Sequence, residues 1–375
     1  FKASKGIADG QEWHPFAGME DKAQELQSFL ANVPFAGRAQ QTVRAAKLAV
    51  PELADPGLGQ QSTQVAFGKI MNDLGRSKSE FAARIMTTSP DVTVSTNLGG
   101  WVNQRRLFAN RQFEDRFKAE RVVSPQMWSG EPDGQHMELG IAENNLFLAL
   151  AAMGLSADLF GTRLIPIGTL YDPFINRGLD ALNYACYQDA RFLLAATPSG
   201  ITLAAEGGAH QSIHTPLIGM AQPNLLYFEP AYVDELRAAM AWAFRHMQEE
   251  DGSSVYLRLS TRALSQPERD FAAIEADYLK GAYWLKKPAS GTAIELVLAF
   301  TGAVAPEVLE AYDILAEDID GLGVLAVSSP DLLHRDWMAS QRTKASGTTA
   351  PSHIETLLSA ASRGAGIVSV IDGAP

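Results

Sequence analysis

Apolar positions along this chain follow two alternating patterns. From Ser62 onward, short continuous apolar runs alternate with longer segments in which apolar residues recur every three or four positions. Ser62 is a candidate N-cap for a helix through Asp73. Residues 78–87 read as a helix leading into a β-branched strand at Val92–Val94, and residues 141–154 as an apolar helix. Strands then follow at Leu164–Ile167, Phe192–Ala196, Leu225–Phe228 and Val255–Leu259, with helices at 175–187 and 231–248 between them. Strands that are apolar throughout and alternate with helices indicate a parallel sheet covered on both faces.

A polar, irregular stretch over 263–292 precedes a second such pattern: strand 294–300, helix 304–316, strand 323–328, helix 352–362 and strand 367–371. Ahead of Ser62 the pattern is less regular, with helical periodicity at 19–31 and 38–49 broken by Pro51 and the run PGLGQQS. The fold class expected is α/β, with two consecutive parallel-sheet domains. The divisions are a connector over 1–61, a first domain over 62–270, a linker over 271–292 and an incomplete second domain over 293–375. The start at Phe1 and the stop just after an apolar run suggest a fragment.

Composition narrows the function classes. Apolar residues make up 46% of the 375 and charged ones 20%, as in folded soluble proteins. A net charge of −12 disfavours nucleic acid or an anionic membrane as the main partner. A single cysteine, Cys186, excludes a disulfide framework and a Cys-based zinc cluster. The longest apolar run, Leu146–Met153, is too short to span a bilayer, and no signal peptide opens the chain, so the expected location is cytoplasmic.

Ligands of open α/β sheets sit at the carboxyl ends of the strands, so the strand-to-helix loops hold the candidates. Glu143, in HMELGIAENN at the head of an apolar helix, reads either as a carboxylate favoured by the helix dipole or as a buried acid that exchanges a proton with a ligand nitrogen. Glu138 is a rival carboxylate nearby. Tyr171 and Phe174, three apart at a loop–helix junction, either line a pocket wall or pack in the core. His210 and His214, in the glycine-rich loop EGGAHQSIH, can exchange protons, bind a carboxylate, or simply bond to loop backbone. HQSIH lacks the glutamate of a zinc-protease helix, and no metal ligand set is expected. Arg262, after the strand ending at Leu259, suits an anion or a surface salt bridge. No phosphate-binding P-loop, dinucleotide glycine fingerprint or GxSxG elbow occurs.

The order of these elements resembles the pyrimidine-binding domain of the transketolase superfamily of thiamine diphosphate enzymes. It resembles most the homodimeric, pyruvate dehydrogenase-type first component of 2-oxoacid dehydrogenase complexes. The residues that carry the likeness are STQVAFGKIMNDL from Ser62, Asp91, GIAE ending in Glu143, and the stretch IPIGTLYDPFINRGLDALNYACYQDARFLLAATPSGITLAAEGGAHQS. Residues 293–375 resemble the first part of the superfamily's C-terminal domain. The resemblance implies that Glu143 hydrogen-bonds the aminopyrimidine ring nitrogen, that Tyr171 and Phe174 form the wall on which that ring stacks, and that His210 lies near the reacting carbons. It also implies that Asp91 sits on the thiazolium side, with His214 and Arg262 as substrate-binding candidates.

In the family, the diphosphate and its Mg²⁺ are held by a separate domain bearing GDG, and no GDG occurs here. Where sugar-using transketolases carry DGPTHQP, this chain reads EGGAHQS. The expected activity is therefore oxidative decarboxylation of pyruvate or a close homologue, with acyl transfer to a lipoyl acyltransferase partner. The fragment alone is expected to be inactive. Transfer of two-carbon units between sugar phosphates is the alternative, and a non-enzymatic assembly subunit the third possibility.

Overall fold

The computed structural model describes residues 1–33, 45–111, 119–123, 128–203, 207–347 and 350–374. The chain divides into two compact units, Phe1–Ala46 with Ser156–Arg163, and Lys47–Leu155 with Leu164–Pro375. The smaller unit contains the helices Ala23–Asn32 and Ser156–Phe160. Residues 38–44 of the expected helix at 38–49 lie outside the described residues, and 45–49 form neither helix nor strand.

The larger unit contains both α/β sheets. The first has eight strands: β1 (Ile85–Ser89), β2 (Leu107–Phe108), β3 (Gly130–Glu131), β4 (His136–Glu138), β5 (Ile165–Leu170), β6 (Leu193–Ala196), β7 (Leu225–Phe228) and β8 (Ser254–Arg258). They lie in the order β3-β2-β4-β1-β5-β6-β8-β7, and every pairing is parallel. The second sheet has β9 (Ala282–Lys286), β10 (Ile294–Phe300), β11 (Leu322–Val327) and β12 (Ala361–Val370), in the order β9-β11-β10-β12. Only β9 runs antiparallel to its neighbour. The expected α/β class with two sheets is what forms.

Helix α1 (Thr63–Arg76) starts where Ser62 Oγ accepts the Val65 N–H at 3.2 Å. It buries Phe67, Ile70, Met71 and Leu74, the i, i+3, i+4, i+7 stripe that turns one helical face to the sheet. Helix α2 (Glu143–Gly154) buries Leu146, Phe147 and Leu150, and α3 (Leu179–Tyr187) packs beside it. Helix α4 (Val233–His246) has buried Leu236, Met240 and Phe244, and α5 (Ala305–Leu315) covers the second sheet.

Four local expectations need correction. Val92–Val94 forms a turn; the helix expected over 78–87 is confined to Glu80–Ala83, and the strand lies at Ile85–Ser89, overlapping the end of that stretch. Asp91 then turns the chain with a left-handed φ of 64°. The stretch read as linker contains β9, which pairs with β11 and buries Tyr283, while Tyr278 just before it is also buried. The helix expected over 352–362 is confined to His353–Leu357, and β12 begins at Ala361. Helix α6 (Pro330–Ala345) had no counterpart in the pattern, because its fully buried positions are Asp331 and Ser340 and no apolar stripe marks it.

An ionic cluster joins the two sheets at their carboxyl ends. Arg258, at the end of β8, is 1% exposed. Its Nε donates to Asp172 at 3.1 Å and its Nη1 to Glu229 at 2.6 Å. Its Nη2 donates to the carbonyls of Ser212 at 3.1 Å and Asp372 at 2.9 Å, the latter just beyond β12 of the second sheet. Burial works against the Arg258 cation, but Glu229 and Asp172 outweigh it and hold the guanidinium well above its usual pKa. Burial also pushes the Glu229 carboxyl up, against the pull of Arg258. Asp372 accepts the N–H groups of Ile201 at 2.8 Å and Thr202 at 3.1 Å, so the loop after β6 is tied to the second sheet. Gly200 makes that approach possible, because its φ is +79° and any Cβ there would run into the Asp372 carboxylate.

Replacing Arg258 with Leu leaves two buried acids without their cation. The expected loss is about 3–5 kcal/mol of stability, read by urea unfolding beside the wild type. A loss under about 1 kcal/mol would show that apolar contacts alone hold the sheets together.

Candidate active site

Strand β5 delivers Tyr171 to the carboxyl edge of the first sheet, and Asp172 fixes it there. Asp172 is fully buried and accepts hydrogen bonds from Arg258, from Thr215 Oγ1 at 2.5 Å, from Ser212 Oγ and from Tyr256 Oη. One carboxylate thus pins the start of the 3₁₀ turn Asp172–Gly178 and the loop that carries His210 and His214. Across that gap, Tyr171 and Phe174 lie with ring centroids 5.8 Å apart. The His210 ring meets Tyr171 edge-on at 5.2 Å and Phe174 at 5.9 Å.

Glu143 joins this group from the other side. It is the first residue of α2, where the helix dipole favours a carboxylate, and it is 6% exposed. Its Oε1 accepts from Arg177 Nη1 at 2.7 Å, and the same guanidinium lies 3.8 Å from the centroid of the Phe174 ring. Gly178 brings the two segments together, since a Cβ there would stand 2.8 Å from the Glu143 carbonyl and run into Phe147. Glu143, Arg177, Phe174, Tyr171 and His210 therefore form one unbroken chain of contacts. His214 stands at its border, with Nε2 3.1 Å from Nδ2 of Asn176.

Two candidates are engaged elsewhere. Arg262 grips Glu307 on α5 with both Nη atoms, at 2.9 and 2.5 Å, and also donates to the Ala303 carbonyl at 3.0 Å. Asp91 is exposed, and its N–H donates to Glu138 Oε1 at 2.7 Å. Glu138, the rival carboxylate, belongs to a separate polar centre. Its Oε2 accepts from Thr93 Oγ1 at 2.6 Å, and that hydroxyl lies 3.0 Å from Nε2 of the buried His136. Burial pushes Glu138 up, but His136, the Thr93 hydroxyl and the Asp91 N–H together hold it below the usual carboxylate value. Among the described residues, no group of three or more His, Cys, Asp or Glu could hold a metal. Glu206, in the same loop as His210, lies outside the described residues.

Arg177 and Asp172 are the functional neighbours that residue-type reasoning passed over. Arg177 had a signal, since it follows Phe174 by three residues and so shares its face of the turn. Asp172 had none, because an Asp before Pro reads as an ordinary turn.

Residues 56–263 match the pyruvate dehydrogenase E1 component middle domain, more than half of the chain. The chain belongs to that family. The pyruvate dehydrogenase E1 component of Mycolicibacterium smegmatis is 28% identical over 326 residues, which are 84% of this chain and 35% of that protein. That of Pseudomonas aeruginosa is 27% identical over 287 residues, 75% of this chain and 32% of that protein. The chain thus spans about a third of the length of these curated relatives. Among solved structures, a transketolase from Leishmania mexicana superposes with a TM-score of 0.65 at 18% identity, covering 95% of this chain and 45% of that one. The superfamily resemblance drawn from the residues, and its pyruvate dehydrogenase-type branch, are thereby borne out.

Glu138→Gln separates the second polar centre from the family site. A carboxyl held low in the folded state stabilises the protein above its ordinary pKa of 4.5, and that contribution is lost as the pH falls below it. Near neutral pH the wild type should exceed the variant by about 1 kcal/mol, after allowance for partial solvent contact. The gap should close on acidification, as followed by thermal melts across pH. A pH-independent gap would assign the effect to packing.

Proposed function

We propose that this chain supplies the pyrimidine half of a thiamine diphosphate site in an enzyme that decarboxylates a 2-oxoacid, pyruvate or a near homologue. The observation that carries the reading is Glu143, a buried carboxylate at a helix N-terminus, in continuous contact with an aromatic pair and a loop histidine. These residues fit an aminopyrimidine. A flat N–C–N donor, the Arg177 guanidinium, is already accepted by this carboxylate and lies over the Phe174 ring. When bound, the cofactor supplies an acidic ring carbon and an electron sink.

The protein's part is binding, orientation and proton handling. Glu143 shares a proton with the ring nitrogen at the head of α2, where the carboxylate itself is largely shielded from water. Tyr171 and Phe174 orient the ring by stacking, in the offset geometry that π-faces favour. His210, in contact with both rings, is placed to hand a proton to substrate, and His214, beside Asn176, to bind it. Asp91 is assigned to the thiazolium side on the family pattern alone. Arg262 is a weaker substrate anchor than its residue type suggests, since Glu307 already holds its guanidinium.

The diphosphate and Mg²⁺ belong, on this reading, to a GDG-bearing domain that the 375 residues do not include, so the chain alone is inactive. Residues 62–270 form the pyrimidine-binding domain and 293–375 the C-terminal-type domain. The acyl group passes to a lipoyl acyltransferase component, and the working enzyme is a homodimer in the cytoplasm. Among the described residues no helix is long and apolar enough to cross a membrane.

With the GDG-bearing domain, Mg²⁺ and thiamine diphosphate supplied, pyruvate or 2-oxobutyrate should reduce an artificial electron acceptor. Glu143→Gln should lower that rate by at least about a hundredfold. An undiminished variant would remove Glu143 from the reaction. Turnover of a ketose phosphate with an aldose acceptor, without 2-oxoacid activity, would give the transketolase reading instead.

A further inference from the structure

The two features that define the proposed pyrimidine site are both occupied by one side chain of the protein itself. Arg177 fills the hydrogen-bonding position of Glu143 Oε1 at 2.7 Å and lies over the Phe174 ring at 3.8 Å from its centroid. A guanidinium is planar and stacks on aromatic rings as an aminopyrimidine does, and its N–H donor occupies the carboxylate oxygen that would otherwise share a proton with the ring nitrogen. A ring stacked on that face of Phe174 and bonded to that oxygen would overlap the guanidinium.

The surroundings allow the side chain to leave while its backbone stays. Gly178 packs against the Glu143 carbonyl and Phe147, so the main chain beside Arg177 is fixed. The Arg177 side chain, by contrast, is 51% exposed, and Glu143 and Phe174 are the partners that hold it among the described residues. A rotation about its own side-chain bonds carries the head into water, where a guanidinium is well solvated. Arg258 offers the contrast: buried and bonded on every side, it has no such freedom.

We propose that Arg177 is a gate on the pyrimidine site, standing in for the ring when the site is empty and swinging outward to admit it. This rests on the pyrimidine reading of Glu143 and Phe174. The gate keeps a buried carboxylate paired in the empty protein, and it sets a threshold that a ligand must exceed by making both contacts at once. A ligand that only stacks, or only accepts a proton, displaces half of what Arg177 provides.

The test is calorimetric titration of the 375-residue chain with the uncharged aminopyrimidine alcohol of thiamine, needing no turnover and no diphosphate. Arg177→Leu should bind about tenfold tighter than the wild type, and Glu143→Gln about tenfold weaker. Arg177→Gln, which keeps a polar head but loses the charge, should fall on the tight side as well. Salt gives an independent readout, because the Arg177–Glu143 pair is half in water while the ligand is neutral. Wild-type affinity should rise with ionic strength, and that of Arg177→Leu should not. Equal or weaker binding by both Arg177 variants, with Glu143→Gln still impaired, overturns the gate and makes Arg177 a fixed part of the site. Absence of binding by every protein, or full binding by Glu143→Gln, overturns the pyrimidine reading and the gate with it.

Discussion

A guanidinium buried among acids is the constraint on which the rest of this molecule depends. Taking Arg258, Asp172 and Glu229 out of water costs several kcal/mol per charge, and the cost is offset only when each remaining donor and acceptor finds a partner. Here they do. Arg258 meets two carboxylates and two backbone carbonyls, and Asp172 adds Ser212, Thr215 and Tyr256. An apolar core would have bound the sheets as tightly but without fixing their register, because apolar contacts are not directional. The ion cluster is directional. It fixes five segments at once: the end of β8, the turn after β5, the residue after β7, the histidine loop and the residue after β12. Four of these meet at the carboxyl edge of the first sheet, where open α/β folds place their ligands.

What could be read from the sequence followed from how far each element advertises its environment. Strands at 225–228 and 294–300 lie where the pattern put them, the first because it is buried and apolar throughout, the second because its apolar run is broken only by the exposed Glu295. Helix α6 stayed hidden because its apolar residues form no stripe, and the polar Asp331 and Ser340 are what it buries. Strand β9 was concealed by its polar neighbours on both sides, although Tyr278 and Tyr283 are among the most deeply buried rings of the chain. The misplaced strand near Val92 shows that β-branched residues serve a tight turn as well as a strand. The left-handed Asp91 that makes that turn has no compositional mark.

The candidate site was partly legible for a different reason. Residue types alone left Glu143, the Tyr171–Phe174 pair and His210 as three unrelated possibilities on three stretches of chain. Their order along the chain tied them to a family, and the fold then brings them into mutual contact. Nothing in the types of Asp172 or Arg258 marks them as a pair, because they are 86 residues apart and meet only when β5 and β8 lie in one sheet. Long-range polar partners of this kind are invisible to periodicity, which reports faces and not neighbours.

The buried acids of this protein differ in how completely their partners hold them. Asp172 is saturated by fixed donors. So is Glu235, which accepts from Arg269 at 3.0 Å, Tyr283 Oη at 2.5 Å and the Ala231 N–H at 2.8 Å. Saturation by groups that are themselves buried leaves no lone pair for a ligand and no partner that can move aside. Glu143, 6% exposed, accepts one side-chain hydrogen bond among the described residues, from an arginine side chain that is 51% exposed. An acid in that condition is costly to keep unless something arrives to complete it. Asp331 shares that condition, with Oδ2 buried and unpartnered and Arg335, 43% exposed, donating to Oδ1, so what singles out Glu143 as the proposed ligand carboxylate is its link through Arg177 to the aromatic pair.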